Sequence, residues 1–386
     1  MRAIVLTDVG RLEPLVVPCP APRPDEVRVR VEAVGLCGTD LHIVAGHANY
    51  NRDARGQLVP LAEAPQILGH EIAGVVEEVG ALVDDVRPGD RVVVDQGRNC
   101  FSEQRSPLCE YCATGHSHQC ERYAEHGITG LPGGFADYIT IPAVNTVRIE
   151  SDIEPAVAAL SEPLGCVLHA CETLASAPSR YALAAPSVGE SVRTALILGA
   201  GPAGLLFVQY MRNILGFEGR LLVSEPNARR RALAERFGAD CIDSSSVDVA
   251  DAVRERTGGR RVELLIEASG SGRAFATIPA CIRKQATVLL YGHGHAGVDL
   301  SALNGVQFME PTLLAPTGAS GGFERDRRPT TYRRALRLIE GGRVDVAPLI
   351  THRYASLASV ARAFEGDHLL SDYVKGIMIA GDNVSC

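Results

Sequence analysis

Two short segments carry side chains that could hold a transition metal ion. The sequence GLCGTDLH at 35–42 contains Cys37, and the sequence LGHE at 68–71 contains His70. A thiolate and an imidazole from distant points of a chain are frequent ligands of catalytic zinc, which keeps one coordination position open for substrate. Zn²⁺ lowers the pKa of a bound hydroxyl toward ~7, so an alcohol could lose its proton at neutral pH. Each motif alone is weak evidence, because Cys37 could be a buried thiol and His70 an ordinary core histidine.

A second group of thiols lies between positions 100 and 120. The sequence has 11 cysteines, an odd number, and four of them fall in this stretch: Cys100, Cys109, Cys112 and Cys120. The N-terminus lacks the apolar core of a secretion signal, so metal binding and buried thiols are favoured over a disulfide framework. The clustering indicates a second metal site.

A glycine-rich turn predicts a dinucleotide site. GAGPAG at 199–204 follows an apolar strand and opens a helix, the context in which this fingerprint is meaningful. Gly199 permits the tight turn, Gly201 allows close approach of a pyrophosphate, and Gly204 allows close packing of helix on strand. The alternative is a glycine turn without a ligand.

An acidic residue after the next strand bears on the choice of cofactor. Glu225 lies 21 residues after Gly204, where a carboxylate accepts hydrogen bonds from ribose hydroxyls and repels a 2'-phosphate. This favours NAD over NADP. Arg229, Arg230 and Arg231 follow on the next predicted helix and could instead pair with a phosphate, or form a solvated basic face.

These residues must be positioned by two kinds of structure. Short β runs at 27–34, 72–79, 91–94 and 136–141, separated by Gly and Pro, predict a β-rich, barrel-like domain. From about residue 194, apolar strands at 195–198, 221–224, 263–267 and 287–291 alternate with helical periods, which predicts a doubly wound parallel sheet. Helical periods at 332–339 and 357–364 and a strand at 376–380 follow. A length of 386 residues agrees with two domains.

Composition excludes several classes of protein. A formal net charge of -8 argues against binding to a nucleic-acid backbone. No apolar stretch reaches the ~18 to 20 residues that a membrane-spanning helix needs. We therefore expect a cytoplasmic globular enzyme that binds neither nucleic acid nor membrane.

Taken in order, the motifs resemble the zinc-dependent medium-chain dehydrogenase family. SEPLGCVLHA at 161–170 completes the series, and its Glu-Pro pair is similar to the sorbitol, threonine and glucose dehydrogenase branch. The resemblance implies that Cys37, His70 and Glu162 bind catalytic zinc, with Glu71 as an alternative ligand. Glu162 could also be a carboxylate at the start of a helix.

The resemblance also implies a path for the alcohol proton. Thr39 takes the proton and passes it through the ribose to His42, which releases it to solvent. A hydroxyl suits this relay because it both donates and accepts, and histidine has an ordinary pKa near ~6.5. A backbone-bonded hydroxyl at Thr39 and a surface histidine at His42 are the alternatives, and Asp40 is expected to be structural.

The second cysteine group departs from the family pattern at one position. Cys109, Cys112 and Cys120 match the last three ligands of the structural zinc lobe, but Ser106 stands where the first cysteine is expected. Cys100 could replace it, since a longer loop costs entropy only logarithmically. The alternatives are one structural zinc and an empty lobe stabilised by packing.

The expected fold is α/β. A GroES-like catalytic domain is expected at 1–166 and 311–386, and a Rossmann domain at 167–310. The substrate and the nicotinamide are expected to meet in the cleft between these domains. The expected activity is hydride transfer between a secondary alcohol, polyol or sugar and NAD, with NADP the second choice and two zinc ions bound. A homodimer or homotetramer is implied by the resemblance. Two other functions stay open: a zinc-free quinone or enoyl reductase of the same superfamily, and a non-catalytic protein that binds a partner through its zinc lobe.

Overall fold

The structure is a computed structural model, which describes residues 1–184, 187, 189–295, 299, 301–319 and 321–381. The chain divides into two compact units. Unit 1 comprises Met1–Gly165, Gly318–Gly342 and Leu349–Cys386, and unit 2 comprises Cys166–Thr317 and Arg343–Pro348. Among the described helices, none is long and apolar enough to cross a membrane.

The strands are numbered along the chain. They are β1 Arg2–Asp8, β2 Arg11–Val16, β3 Glu26–Gly35, β4 Gln66–Ile67, β5 Glu71–Val79, β6 Arg91–Val94, β7 Gly97–Arg98, β8 Ala124–Glu125, β9 Tyr138–Pro142, β10 Thr146–Arg148, β11 Thr194–Leu198, β12 Arg220–Ser224, β13 Asp240–Ile242, β14 Val262–Glu267, β15 Ile282–Leu290, β16 Thr312–Leu314, β17 Ile350–Tyr354 and β18 Lys375–Ile379. Strands β11 to β16 belong to unit 2, and the others belong to unit 1.

The α-helices are numbered in the same way. They are α1 Gly38–Val44, α2 Glu110–Ala113, α3 Pro155–Ala159, α4 Ser161–Ser176, α5 Pro202–Gln209, α6 Ala228–Arg236, α7 Val249–Arg256, α8 Gly272–Cys281, α9 Ala302–Gln307, α10 Thr330–Glu340 and α11 Leu357–Glu365. A π-helical turn at Tyr210–Ile214 follows α5 directly.

Unit 1 is built on a seven-stranded sheet. Its strand order is β10-β6-β5-β3-β18-β17, with β9 also paired to β3, and smaller sheets join β2-β1-β4 and β7-β8. Along β3 the buried Val27, Val29 and Val31 alternate with less buried charged residues, as the period of two in a strand requires. Valines, isoleucines and leucines from these strands form one continuous core.

Unit 2 contains one parallel sheet of six strands in the order β13-β12-β11-β14-β15-β16. All five residues of β11 are buried, as expected for a strand covered by helices on both faces. The strand order reverses direction at β11, because β12 lies on one side and β14 on the other. A doubly wound sheet binds ligands at such a switch point, beyond the carboxyl ends of its strands.

Most predicted elements are confirmed, including the β-rich first part, the parallel sheet and the helices at α5, α6, α10 and α11. The predicted strand at 287–291 is longer at its start, since β15 begins at Ile282. Very short strands such as β7, β8 and β13 were not predicted, because two or three residues show no periodicity.

Candidate active site

Two antiparallel strands bring the candidate metal ligands together. Strand β3 pairs with β5 so that Gly35 lies opposite Glu71. Cys37 follows β3 as the N-cap residue of α1, and His70 directly precedes β5. One ligand atom each from Cys37, His70 and Glu71 can be chosen so that all lie within 4.8 Å of one another. The pairing of β3 with β5 therefore places a thiolate, an imidazole and a carboxylate in one group.

Asp40 supports this group from the first turn of α1. Its Oδ2 accepts a hydrogen bond of 2.9 Å from the backbone N–H of Cys37, and its Oδ1 accepts one of 3.2 Å from Gly69. The same Oδ1 lies 3.5 Å from Nδ1 of His70. Asp40 is fully buried, so it fixes the backbone beside two candidate ligands, in agreement with the structural role expected of it.

Lys375 is a residue of the site that the sequence interpretation missed. It lies on β18, and its Nζ forms an ion pair with Oε1 of Glu71, although 304 residues separate them. The two side chains are 4% and 0% exposed. The available signal was that Lys375, one of only two lysines in the chain, is the single charged residue in the sequence 373–380.

The charges of this group, and the buried atoms in it that lack a hydrogen-bond partner, fit a bound cation. Burial opposes protonation of His70, but the Asp40 carboxylate and the Cys37 thiolate outweigh it and raise the pKa of His70 well above its ordinary value. Nδ1 of His70 and Oε2 of Glu71 are buried without a hydrogen-bond partner among the described residues. Buried polar atoms normally have partners, so this donor set suits a zinc ion.

Glu162 lies outside that close group. Oε1 of Glu162 accepts a hydrogen bond of 3.3 Å from Nε2 of Gln96, and the same amide lies 3.4 Å from Oε1 of Glu125. The Tyr332 hydroxyl donates to Oε1 of the Gln96 side chain. Among the described residues, the structure thus assembles Cys37 and His70 with Glu71, the expected alternative ligand, and holds Glu162 through Gln96.

The surroundings of Gln96 are rich in carboxyl groups. Burial, opposed by a backbone hydrogen bond from Gly97 and reinforced by Glu125 and Glu162, raises the pKa of Asp95 to about 8. Burial also raises the pKa of Glu125, against the attraction of His70. The sequence interpretation missed these residues because no motif connects them. They form a buried cluster of carboxyl groups in unit 1, in which the raised pKa values of Asp95 and Glu125 favour the protonated, neutral form.

The two relay candidates lie on α1. Thr39 and His42 are three residues apart on this helix, so their side chains project from the same face. Oγ1 of Thr39 is 3.6 Å from Sγ of Cys37, which brings a hydroxyl beside a candidate ligand. The His42 ring centroid lies 6.1 Å from that of His47. Thr39 is therefore near the metal group, and His42 lies one helical turn further along.

The four clustered cysteines converge as a second donor set. Their sulfur atoms all lie within 4.8 Å of one another, with separations of 3.7 Å for Cys100–Cys120 and 3.8 Å for Cys109–Cys120. A zinc tetrahedron with Zn–S bonds of about 2.3 Å has S–S edges of about 3.8 Å. Backbone N–H groups of Cys112 and Glu121 lower the pKa of Cys109 to about 6. Cys100 thus supplies the fourth sulfur that Ser106 cannot.

The glycine fingerprint has the geometry of a phosphate-binding turn. Gly199 directly follows β11 and has φ of 98°, a conformation that residues with side chains rarely adopt. A Cβ at Gly204 would lie 2.0 Å from the Gly199 carbonyl oxygen, whereas a Cβ at Gly201 would meet nothing within 4 Å. Gly204 therefore permits close packing of α5, and the space beside Gly201 is free for a ligand.

Glu225 is anchored beside this turn. Its Oε2 accepts a 2.7 Å hydrogen bond from the backbone of Ala200, and its Oε1 accepts a 2.9 Å bond from Asn227. Arg231 is engaged with the carbonyl groups of Glu225 and Pro226 and with Asp243, so it is committed to local structure. Arg230 lies in the first turn of α6, where its backbone N–H donates to the Asn227 side chain.

Comparison with known proteins identifies both units. Residues 23–151 match the sequence family described as the alcohol dehydrogenase GroES-like domain, and residues 202–341 match the family described as zinc-binding dehydrogenase. The chain is 34% identical over 367 residues to L-threonine 3-dehydrogenase from Pyrococcus horikoshii, covering 95% of this chain and 94% of that protein. It is 29% identical over 368 residues to L-threonine 3-dehydrogenase from Bacillus subtilis, with coverage of 95% and 94%.

Solved structures agree with this family. A putative zinc-binding dehydrogenase from Sinorhizobium meliloti, bound to NADP, is 28% identical with a TM-score of 0.78 and covers 98% of each chain. Galactitol-1-phosphate dehydrogenase from Escherichia coli is 25% identical with a TM-score of 0.77, covering 98% of this chain and 100% of that one. The family resemblance and the expected fold class are thereby confirmed. The chain is a zinc-dependent, NAD(P)-linked oxidoreductase and belongs to the zinc-dependent medium-chain dehydrogenase family.

Proposed function

We propose that the chain oxidises a secondary alcohol that carries further hydroxyl groups or an amino group, with NAD as the acceptor. The observation that carries this proposal is the convergence of Cys37, His70 and Glu71 within 4.8 Å. A zinc-free quinone or enoyl reductase has no need of such a donor set. A non-catalytic zinc-lobe protein has no need of it either.

Cys37 and His70 would hold the catalytic zinc, with Glu71 or Glu162 as the carboxylate ligand. When bound, zinc supplies Lewis-acid polarisation of the alcohol oxygen. Asp40 lies 3.5 Å from Nδ1 of His70. Lys375 holds Glu71 through an ion pair, whereas Gln96 donates to Glu162 at 3.3 Å, so the two carboxylates differ in how firmly the protein holds them. The cysteines Cys100, Cys109, Cys112 and Cys120 would hold a structural zinc.

Thr39 is the proposed first acceptor of the alcohol proton, and His42 is the proposed exit. The Thr39 hydroxyl lies 3.6 Å from the Cys37 sulfur. An alcohol held at the metal group would need a proton acceptor close to these ligands, and Thr39 could supply it. Thr39→Ala should lower kcat strongly and leave NADH binding nearly unchanged, whereas Thr39→Ser should retain most of the rate. Equal kcat in Thr39→Ala and the unmodified enzyme would exclude this role.

The proposed preference for NAD depends on Glu225. Glu225 is 4% exposed and its carboxylate adjoins the fingerprint turn through Ala200, so a 2'-phosphate there would face a buried negative charge. Gly199, Gly201 and Gly204 are the proposed pyrophosphate-binding residues. Arg230 is the proposed nearby cation, and a related structure at 28% identity holds NADP, so both cofactors belong in every assay.

The proposed substrate class follows from the carboxyl groups near the metal ligands. The carboxyl groups of Asp95, Glu125 and Glu162 would exchange hydrogen bonds with hydroxyl or ammonium groups of a substrate better than they would accommodate a phosphate dianion. The L-threonine 3-dehydrogenase of Pyrococcus horikoshii is 34% identical to this chain, so L-threonine heads the test panel. We further propose that the enzyme acts in the cytoplasm as a homodimer or homotetramer.

Formation of NADH, followed by its absorbance, tests the proposal. The panel is L-threonine, sorbitol, glucose, 2,3-butanediol and galactitol 1-phosphate, each with NAD and with NADP. We expect turnover of at least one unphosphorylated substrate, higher kcat/KM with NAD, and none above background with Cys37→Ser. Turnover only of the phosphate ester would refute the substrate class, and a higher kcat/KM with NADP would refute the cofactor choice.

A further inference from the structure

A buried carboxylate joins the two loops that follow strands β14 and β15. Glu267, the last residue of β14, is fully buried. Its Oε1 accepts hydrogen bonds from the backbone of Ser269 at 2.9 Å and of Gly270 at 3.1 Å, while its Oε2 lies 2.7 Å from Nε2 of His295. The ring therefore donates its Nε2–H to Glu267. One acidic side chain holds the loop at 268–271 and the far end of the loop at 291–295.

The two loops interlock so closely that only glycine fits at their contacts. A Cβ at Gly270 would lie 1.9 Å from the carbonyl oxygen of His293, and a Cβ at Gly292 would lie 2.3 Å from Oε2 of Glu267. The backbone N–H of His295 donates to the Gly270 carbonyl at 2.7 Å. His295 has φ of 37°, a left-handed conformation that is uncommon outside glycine.

Aromatic contacts fix the loop at 291–295 at both ends. The Tyr291 ring packs edge-on against Phe207 of α5, with centroids 5.1 Å apart. The His295 ring packs against Phe275 of α8, also with centroids 5.1 Å apart. Between these anchors His293 and Gly294 are exposed. The loop thus presents two accessible residues from a braced backbone.

This braced loop lies on the side of the switch point away from Glu225. Gly199 touches the first loop, since a Cβ on Gly199 would lie 2.9 Å from the Ser269 Cβ. In a doubly wound sheet a dinucleotide crosses the switch point, with one mononucleotide on each half. Glu225, after β12, belongs to the adenosine half. The loops after β14 and β15 therefore belong to the nicotinamide half.

We propose that the Glu267–His295 pair is a clamp that shapes the nicotinamide half of the cofactor site, and that His295 is a positioning residue for that half. The inference rests on the NAD(P)-linked function of the chain. His295 acts through the backbone of residues 293–295, in which Gly294 and His295 have positive φ and which packs on the loop that touches Gly199. Preorganised loops bind more tightly because less freedom is lost on binding.

The test compares the whole cofactor with a fragment that lacks nicotinamide. Affinities for NADH and for ADP-ribose are measured by calorimetry on the full-length enzyme and on His295→Ala. We expect the affinity for NADH to fall about tenfold or more, because binding must then order a loop that a charge-assisted hydrogen bond no longer holds in place. The affinity for ADP-ribose should change less than about twofold, because the adenosine half is untouched.

Three further variants make the test decisive. His295→Gln retains an N–H donor toward Glu267 and should recover part of the NADH affinity. Glu267→Gln weakens the same contact from the other side and serves if His295→Ala does not fold. Asp251→Asn, which removes an exposed ion pair with Arg254 in the same unit, should change neither affinity.

The outcomes separate the clamp from the function on which it rests. Equal weakening of NADH and ADP-ribose in His295→Ala and Glu267→Gln, or no change in either, would overturn the clamp while leaving the cofactor site intact. An unmodified enzyme that binds neither NADH, NADPH nor ADP-ribose would overturn the dinucleotide function itself.

Discussion

Replacing Lys375 by methionine tests how tightly the metal group depends on a charge outside the ligand set. The substitution retains the length of the side chain but leaves the Glu71 carboxylate buried and without its ion-pair partner. Both side chains are almost completely buried, at 4% and 0% exposure. Breaking a buried ion pair by removing one partner costs about 3 to 5 kcal/mol, because an uncompensated charge is left behind.

For a domain of 150 to 250 residues, about 2 to 4 °C of Tm is lost per kcal/mol, so the metal-free Lys375→Met variant should melt about 6 to 20 °C lower. Added zinc should raise its Tm more than that of the unmodified protein, since the cation can pair with Glu71. The double variant Lys375→Met, Glu71→Gln should recover most of the loss. Differential scanning calorimetry on metal-stripped and zinc-loaded samples measures each value.

The matched control is Lys284→Met, which changes the only other lysine of the chain, an exposed residue of β15. It should shift the Tm by less than about 2 °C, as expected for surface substitutions. A Lys375→Met variant that melts like Lys284→Met, or a double variant that is less stable than Lys375→Met, would refute the reasoning.

Three other expectations follow from named contacts. Glu225→Ala should lower the kcat/KM for NAD relative to the kcat/KM for NADP. An unchanged ratio of the two values would show that the carboxylate does not select the cofactor. Cys112→Ser should lower the zinc content by about one per chain and lower the Tm; an unchanged zinc content by elemental analysis would exclude the structural site. Burial, opposed by a hydrogen bond to Pro132, lowers the pKa of His126 to about 4. In the unfolded state His126 therefore takes up a proton at a higher pH than in the folded state. The free energy of unfolding should fall by about 3 kcal/mol as the pH drops from about 6.5 to 4. His126→Gln should flatten this pH dependence in denaturant titrations, and an identical slope in both proteins would refute it.

Sequence patterns predicted the parts of the site that are local in the chain. Gly199, Gly201 and Gly204 were predicted because a turn between strand and helix has strict backbone requirements, which glycine spacing reveals. The convergence of Cys37 and His70 was an expectation from motif order, and the pairing of β3 with β5 supplies its geometry.

Contacts between remote segments could not be predicted in this way. Lys375 reaches Glu71 across 304 residues, and Tyr332 reaches Gln96 across 236 residues. Such partners are set by strand order and packing, which periodicity does not encode. Glu71 and Glu162 both lie in motifs that the sequence interpretation assigned to metal ligands. Which of the two carboxylates lies closer to Cys37 depends on how the chain folds, which the motifs do not encode.

The most direct test of the proposed catalytic centre is to measure zinc content, NADH binding and activity on one sample of Cys37→Ser. We expect roughly one zinc per chain instead of two, no alcohol oxidation, and NADH binding close to that of the unmodified enzyme, since the fingerprint at Gly199 is unchanged. An inactive Cys37→Ser protein that still held its full zinc complement would contradict the assignment of Cys37 as a ligand, and with it the central claim about this site.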